Sequence, residues 1–179
     1  KTNMDQALSH VHKHMSSYHG HGAKAIAPVL AHIHTVQGMV PAMYVQWFVL
    51  FALCLTGVLK IVTPKSFAKD FSFVPMWAWR FVGAWELYAS WLIHFGGRYA
   101  EAVPLIYMFF GGVIYCVVRS GQFLILPFPL LNVVCACILG INNNVANAAN
   151  MIVPYMALGA VATTVLCFLP GGLKKSKKN

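Results

Sequence analysis

Five residues recur at helical spacing in one of the most apolar parts of the chain. Arg80, Gly83, Glu86, Ser90 and His94 are separated by three, three, four and four positions, so they share one face of a helix. The surrounding segment is long enough, at about 20 residues, for a helix that crosses a bilayer. A carboxylate in that environment is costly unless it faces protein and has a partner, so Glu86 is the first candidate for chemistry.

Two basic residues are candidate partners for the Glu86 carboxylate. Lys60 lies near the end of the preceding apolar segment, and Arg80 lies about 9 Å from Glu86 along the helix axis. Because consecutive spans are antiparallel, either cation can approach Glu86 at a comparable depth. Arg119, at the end of the next segment, can reach the same face or snorkel to lipid head groups. The sequence therefore predicts a polar seam made of Lys60, Arg80, Glu86, Ser90, His94 and Arg119.

Three hypotheses stay open for the role of Glu86. It can form a structural ion pair that fixes how the helices pack, which is the favoured interpretation. It can instead serve as a proton-accepting group or a polar anchor for a quinone-like ligand. The third hypothesis is a contact with an external subunit.

The sequence favours a protein that is not an enzyme. No serine or cysteine nucleophile lies near a base in a recognisable motif, and no glycine-rich phosphate loop is present. Among the histidines only His94 falls within a predicted span, so a haem held by two histidines is not predicted. We expect no catalytic residue and no intrinsic cofactor, and a quinone or a bound lipid are the ligands to consider.

The composition predicts an integral membrane protein. Of the 179 residues, 59% are hydrophobic and 9% are charged, and the mean hydropathy is +0.65. Soluble domains carry roughly 25% charged residues. The formal net charge is +9, but the basic residues flank apolar segments as they do in membrane proteins, so nucleic-acid binding is not predicted. We therefore expect an all-α membrane helix bundle.

Apolar segments predict four to five transmembrane helices. A short turn at residues 96–99 predicts that the second and third spans form a tight antiparallel hairpin. Residues 122–140 are interrupted by Pro127 and Pro129, but we favour five crossings because residues 120–149 are too apolar for a water-exposed loop. Four and five crossings place the N-terminus on opposite sides of the membrane, and the loop cations do not decide between them. The predicted spans are residues 41–62, 75–95, 102–119, 122–140 and 150–169, within one domain at 39–170.

Polar segments flank the predicted bundle. Residues 1–38 contain seven of the eight histidines and are predicted to form a polar arm, and residues 171–179 form a lysine-rich tail. The imidazoles can converge on a divalent metal, although an arm that lies on a partner protein is favoured. The tail is predicted to contact anionic lipid head groups or an acidic partner, or to act only in topology and solubility. The candidate metal ligands are His10, His12, His14, His19 and His21, and the candidate lipid or partner contacts are Lys174, Lys175, Lys177 and Lys178.

One stretch of the chain resembles the DoxX-like family of small membrane proteins. The matching features are the segment Thr56–Lys60 followed by Pro64, and then an aromatic-rich entry to the second span. Next comes the segment Arg80–Leu87, which is similar to the family's Gly-x-x-Glu-Leu motif. A short turn and a third span with two adjacent glycines, Gly111 and Gly112, complete the match.

The resemblance covers residues 55–122 and implies a four-helix membrane bundle, so a fifth span would be a departure. Some members of the family are subunits of quinone-reducing thiosulfate oxidoreductases, which implies a connection to electron-transport membranes. The family pattern often has a polar residue, commonly His, where this chain has Arg119, and this difference weakens a transfer of activity.

The leading functional hypothesis is a non-catalytic accessory subunit of a larger energy-transducing membrane complex. The alternative is a DoxX-like membrane component of a quinone-linked oxidoreductase, and small-solute transport is a third and weaker hypothesis. Other subunits and lipids are the expected partners, in an organelle inner membrane that is mitochondrial or, alternatively, a plastid thylakoid. Because the chain begins with Lys1, the sequence leaves open whether a targeting segment has been removed.

Overall fold

The computed structural model describes residues 41–169, and all regular secondary structure in this range is helical. This confirms the all-α prediction for the described residues. The predicted arm, its five candidate metal-binding histidines and the four tail lysines lie outside that range. The elements in chain order are α1 Ala42–Val62, α2 Pro64–Asp70, α3 Met76–His94, α4 Tyr99–Ser120, a 3-10 turn at Phe123–Ile125, α5 Pro127–Asn142 and α6 Ile152–Phe168.

Within the described residues, three helical segments are long and apolar enough to cross a membrane, namely α1, α4 and the segment Phe123–Asn142 that contains α5. This is compatible with a membrane protein. The other two predicted spans are also helices. However, α3 carries Arg80 and Glu86, and the 17 residues of α6 extend only about 26 Å, which is shorter than a hydrocarbon core of about 30 Å. Length and composition alone therefore do not assign these two helices to the membrane.

The prolines of the fifth apolar segment begin a helix instead of interrupting one. Pro127 is the first residue of α5 and Pro129 the third, and neither position requires a backbone N–H for an intrahelical hydrogen bond. The break lies further upstream, where Gly121 ends α4 in the left-handed conformation with φ of 73°. Helix α2 lies between the first two predicted spans, and the sequence did not reveal it.

The helices pack as two close pairs joined by α5. Helices α1 and α3 are antiparallel, because Trp47 contacts His94 near one end while Lys60 contacts Glu86 further along. Helices α4 and α6 are parallel and in close contact, and α5 packs against α4 and α1. The chain therefore brings the end of α1, all of α2, the start of α3 and the ends of α4 and α6 to one end of the bundle.

The end of the bundle where α2 lies carries mostly basic residues on its surface. We call it the basic end, because its exposed charged residues are Lys65, Lys69, Asp70, Arg80 and Arg119. A buried cluster that includes Val74, Cys116 and Cys167 joins the helices there. At the opposite end, the exposed Arg98 and Glu101 form an ion pair, so their charges compensate each other.

Candidate functional site

The structure separates the predicted polar seam into buried and exposed residues. Lys60, Glu86 and Ser90 are buried, and Glu86 is only 1% exposed. Arg80, His94 and Arg119 are exposed. The polar face of α3 is therefore exposed at both ends, at Arg80 and His94, and buried between them. The candidate site consists of the buried residues Lys60, Glu86 and Ser90.

A crossing of two glycines brings the buried charges together. A Cβ at Gly83 would lie only 2.6 Å from the Gly57 carbonyl oxygen, so α1 and α3 approach each other with their backbones almost in contact. Lys60 and Glu86 each lie three residues after the glycine of their own helix. Side chains on a helix lean toward its N-terminus, and these helices are antiparallel, so both side chains point back to the crossing.

The ion pair has hydrogen-bonding geometry on both carboxylate oxygens. Lys60 Nζ donates to Glu86 Oε1 and Oε2, each at 2.8 Å. Thr56 Oγ1 lies 2.7 Å from Glu86 Oε1 and also 2.7 Å from the Ala52 carbonyl oxygen. A hydroxyl has one proton, so Thr56 donates to one of these two acceptors at a time. The carboxylate thus has partners on both oxygens without exposure to solvent.

Aromatic rings cover the ammonium group on its other sides. Lys60 Nζ lies 4.6 Å from the centroid of the Phe109 ring and 5.6 Å from that of Phe67. The faces of such rings carry partial negative charge and attract a cation within about 6 Å. Helices α2 and α4 therefore help to hold the charge on Lys60, in addition to Glu86.

The other members of the predicted seam do not contact the carboxylate. Ser90 Oγ donates to the backbone oxygen of Glu86 at 2.9 Å, one helical turn back. The His94 ring packs against Trp47 and Phe95, with centroids 6.1 and 4.5 Å away. Arg80 makes no ion pair or side-chain hydrogen bond to any residue between 41 and 169 that the structure describes. Of the two predicted partners, the structure therefore places Lys60, and not Arg80, beside Glu86.

Arg119 belongs to the basic end and not to the buried site. Its Nη1 donates to Tyr115 Oη at 2.7 Å, and its guanidinium carbon lies 4.8 Å from the centroid of the Phe73 ring. These contacts hold the side chain against the bundle surface, where the guanidinium is exposed.

Two of the grooves on the surface of the described residues are large enough to consider as binding sites, and neither is lined by Lys60 or Glu86. The first lies between α3, α4 and α6, and the second lies between α1 and α3 beside His94. No group of three or more His, Cys, Asp or Glu residues converges as a metal site within residues 41–169. The arrangement of the pair is suited to fixing helix packing, since both charged groups already have partners and neither faces a groove.

Sequence reasoning missed Thr56 as a member of this site. The signal was its position one turn before Lys60 on α1, beside Gly57. Asn132 was also missed. It is fully buried on α5, and its Nδ2 donates to the Phe128 carbonyl oxygen at 2.9 Å. Its Oδ1 has no hydrogen-bond partner among the described residues. A buried asparagine in an apolar helix was the available signal.

Replacing Thr56 with valine is expected to lower the free energy of unfolding by about 1.5–3 kcal/mol, because a hydrogen bond to a charged group is lost. Valine keeps the shape of the side chain, so packing at the crossing is preserved. The matched control is Thr164→Val on α6, where the hydroxyl donates only to the Ala160 carbonyl oxygen. Unfolding in mixed micelles with increasing SDS measures both variants, and equal losses would contradict a contribution from the Thr56–Glu86 contact.

Comparison with known proteins gives no relative from which a function can be transferred. No protein-family model, curated protein or solved structure matches this chain. The resemblance to the DoxX-like family stays a prediction from the motifs.

Proposed function

We propose that this chain is a non-catalytic accessory subunit of a larger electron-transport membrane complex in an organelle inner membrane. The observation that carries the proposal is the closed Lys60–Glu86 pair. Lys60 and Glu86 are bound to each other inside the bundle, Glu86 is 1% exposed, and neither residue lines either of the two grooves described above. A pair of this kind fixes helix packing in a scaffold.

In this proposal α1, α3, α4, α5 and α6 all cross the bilayer. The Glu86 charge is compensated inside the bundle, so it does not prevent α3 from lying in lipid. Arg80 lies about one turn from the start of α3, where a long side chain can snorkel to the interface. Five crossings put the His-rich arm and the lysine-rich tail on opposite sides, where each can bind a neighbouring subunit or anionic lipid.

The exposed surface of the bundle supports an assembled protein. Large apolar side chains such as Trp47, Phe51 and Phe81 are more than half exposed. In a membrane, such side chains contact lipid or neighbouring helices. The uncharged connection between α5 and α6, residues 143–151, would also suit burial against another protein.

The alternative is a component of a quinone-linked oxidoreductase, with Glu86 and Arg80 beside a quinone. The geometry favours this less, because Glu86 is enclosed by Lys60 and Thr56 while Arg80 is exposed and does not contact it. An oxidoreductase would need a different quinone site, and the motif resemblance does not specify one.

The decisive experiment is purification of the tagged full chain from its own membrane in a mild detergent, followed by native mass measurement and absorption spectroscopy. The proposal expects the chain to migrate with a large complex whose other subunits identify the pathway. A small separate species that reduces a quinone analogue would contradict it.

A double variant tests the role of the buried pair without leaving a single buried charge. We expect Lys60→Met/Glu86→Gln to fold and still to migrate with the complex, because the accessory role needs packing and not charge. If the double variant instead stays folded and assembled while electron transfer by the complex is abolished, the pair is catalytic and the accessory proposal is wrong.

A further inference from the structure

The groove between α3, α4 and α6 is a candidate binding site for an apolar ligand. It has a volume of about 150 Å³, and its lining is almost entirely apolar, including Trp79, Trp85, Met108, Cys116 and Leu166. Small residues on α4 and α6 create the space, because Gly112, Gly159 and Ala162 form part of the wall. The groove is open along one side, where Phe81 and Ala162 are exposed.

The groove runs along the helices and not across them. From Met108 to Cys116 its wall on α4 covers eight residues, or about 12 Å of helix axis. The Cys116 end lies at the basic end of the bundle, in the buried cluster that joins α3, α4 and α6. An occupant therefore lies parallel to the helices, with one of its ends near the basic end.

Arg119 is positioned at that end of the groove. It lies one turn beyond Cys116, and its guanidinium rests against Phe73, the neighbour of the groove residue Val74. Phe73 and Tyr115, which both contact Arg119, pack against the same buried cluster as the groove wall. Arg119 forms no ion pair with a carboxylate of the described residues, where the two ion pairs are Lys60–Glu86 and Arg98–Glu101.

We propose that this groove binds one acyl chain of an anionic phospholipid whose phosphate contacts the Arg119 guanidinium. A guanidinium without a carboxylate partner is complementary to phosphate, which it can bind through two parallel hydrogen bonds. The apolar wall is complementary to the hydrocarbon. Lys65 and Lys69 are exposed on α2 at the same end and increase its attraction for an anionic head group.

The lysine-rich tail of the chain is a poor occupant for this site because of its charge. Residues 170–179 contain four lysines and no acidic residue, so their charge has the same sign as that of Arg119. A phospholipid supplies the opposite charge together with an apolar chain. The proposal does not depend on the complex that the subunit joins.

Lipid retention by the full chain tests the proposal. The protein is purified in detergent, given equal amounts of phosphatidylglycerol, phosphatidylcholine with the same acyl chains, and oleate, and examined by native mass spectrometry. We expect preferential retention of phosphatidylglycerol. Arg119→Gln should reduce that retention roughly fivefold, which corresponds to about 1 kcal/mol for one basic residue at a membrane surface.

Two further variants separate the head-group contact from the groove. Arg98→Gln is the matched control, because Arg98 is exposed at the opposite end and is already paired with Glu101; its retention should equal that of the unmodified chain. Ala162→Trp fills the groove from the exposed side of α6 and should lower the retention of phosphatidylglycerol even with Arg119 present.

Three outcomes would overturn the proposal. They are equal retention of the two phospholipids by the unmodified chain, retention of oleate in place of phosphatidylglycerol, and unchanged phosphatidylglycerol retention in both Arg119→Gln and Ala162→Trp. Helical content is measured on each variant by circular dichroism. If one variant does not fold, the other still decides between binding and no binding.

Discussion

Replacing Glu86 with glutamine is expected to lower the free energy of unfolding by about 3–5 kcal/mol, because it leaves the buried Lys60 ammonium without its counter-charge. Glutamine has almost the same volume, so the loss is electrostatic and does not come from a cavity. Lys60 is 5% exposed and cannot recover hydration without disturbing the helix crossing. SDS-induced unfolding in mixed micelles, followed by tryptophan fluorescence, measures the loss.

The losses of unfolding free energy caused by replacing Lys60 and Glu86 are expected to be strongly non-additive. Lys60→Met alone leaves the Glu86 carboxylate buried and should be destabilising by a similar amount. The double variant Lys60→Met/Glu86→Gln removes both charges. Its free energy of unfolding should lie within about 1–2 kcal/mol of that of the unmodified chain, because a buried pair adds little net stability over neutral packing. The difference between the double variant and the sum of the single variants is the interaction energy of the pair.

An exposed pair in the same chain provides the control. Arg98 and Glu101 are each about half exposed, so Glu101→Gln should change the unfolding free energy by less than about 1 kcal/mol. If Glu86→Gln were no more destabilising than Glu101→Gln, the Lys60–Glu86 pair would not be a buried constraint on the bundle, and the observation that carries the proposed function would be lost.

Much of the helical layout could be predicted from the sequence, because apolar length is a strong local signal. Helices begin and end close to the predicted limits at α1 and α3, which start beside Pro41 and Pro75. The interruption at Pro127 and Pro129 was predicted less well. A proline breaks the interior of a helix but favours its first turn, and only the position of the preceding Gly121 turn decides between these two effects.

The site was harder to predict, because spacing gives a shared face but not the distance between two helices. The sequence pattern made Lys60 and Arg80 equal candidates for the ion-pair partner of the Glu86 carboxylate. What distinguishes them is the close approach of Gly57 to Gly83, which directs the Lys60 side chain to the carboxylate. A contact between residues 26 positions apart depends on that tertiary geometry, and no pattern within either helix encodes it.

The second large loss of stability is expected at the contact that holds α6 against α4. In the described residues of this helix only Gly159 and Cys167 are buried, so α6 has no broad apolar face that packs against the bundle. Apolar side chains give little preference for a helix neighbour over lipid, so association in a membrane depends on close backbone contact. A Cβ at Gly159 would overlap the Met108 carbonyl group, and one at Gly111 would overlap the Met156 backbone. The contact between α4 and α6 therefore requires glycine on both sides.

Gly159→Ala is accordingly expected to separate α6 from α4 and to lower the unfolding free energy by about 1–3 kcal/mol, and Gly159→Leu by more. Backbone atoms of Met108 cannot rotate away, so the added methyl group must move a whole helix.

The clearest readout is the thiol of Cys167, which is fully buried at the basic end and should become reactive with a maleimide when α6 moves. Labelling of each variant after complete unfolding in SDS gives the maximum signal for comparison. Ala157→Val adds volume to an exposed position of the same helix and should leave Cys167 protected, with a change in unfolding free energy within about 0.5 kcal/mol. Continued protection of Cys167 in Gly159→Leu would mean that the backbone contact between the two helices does not hold α6 in place.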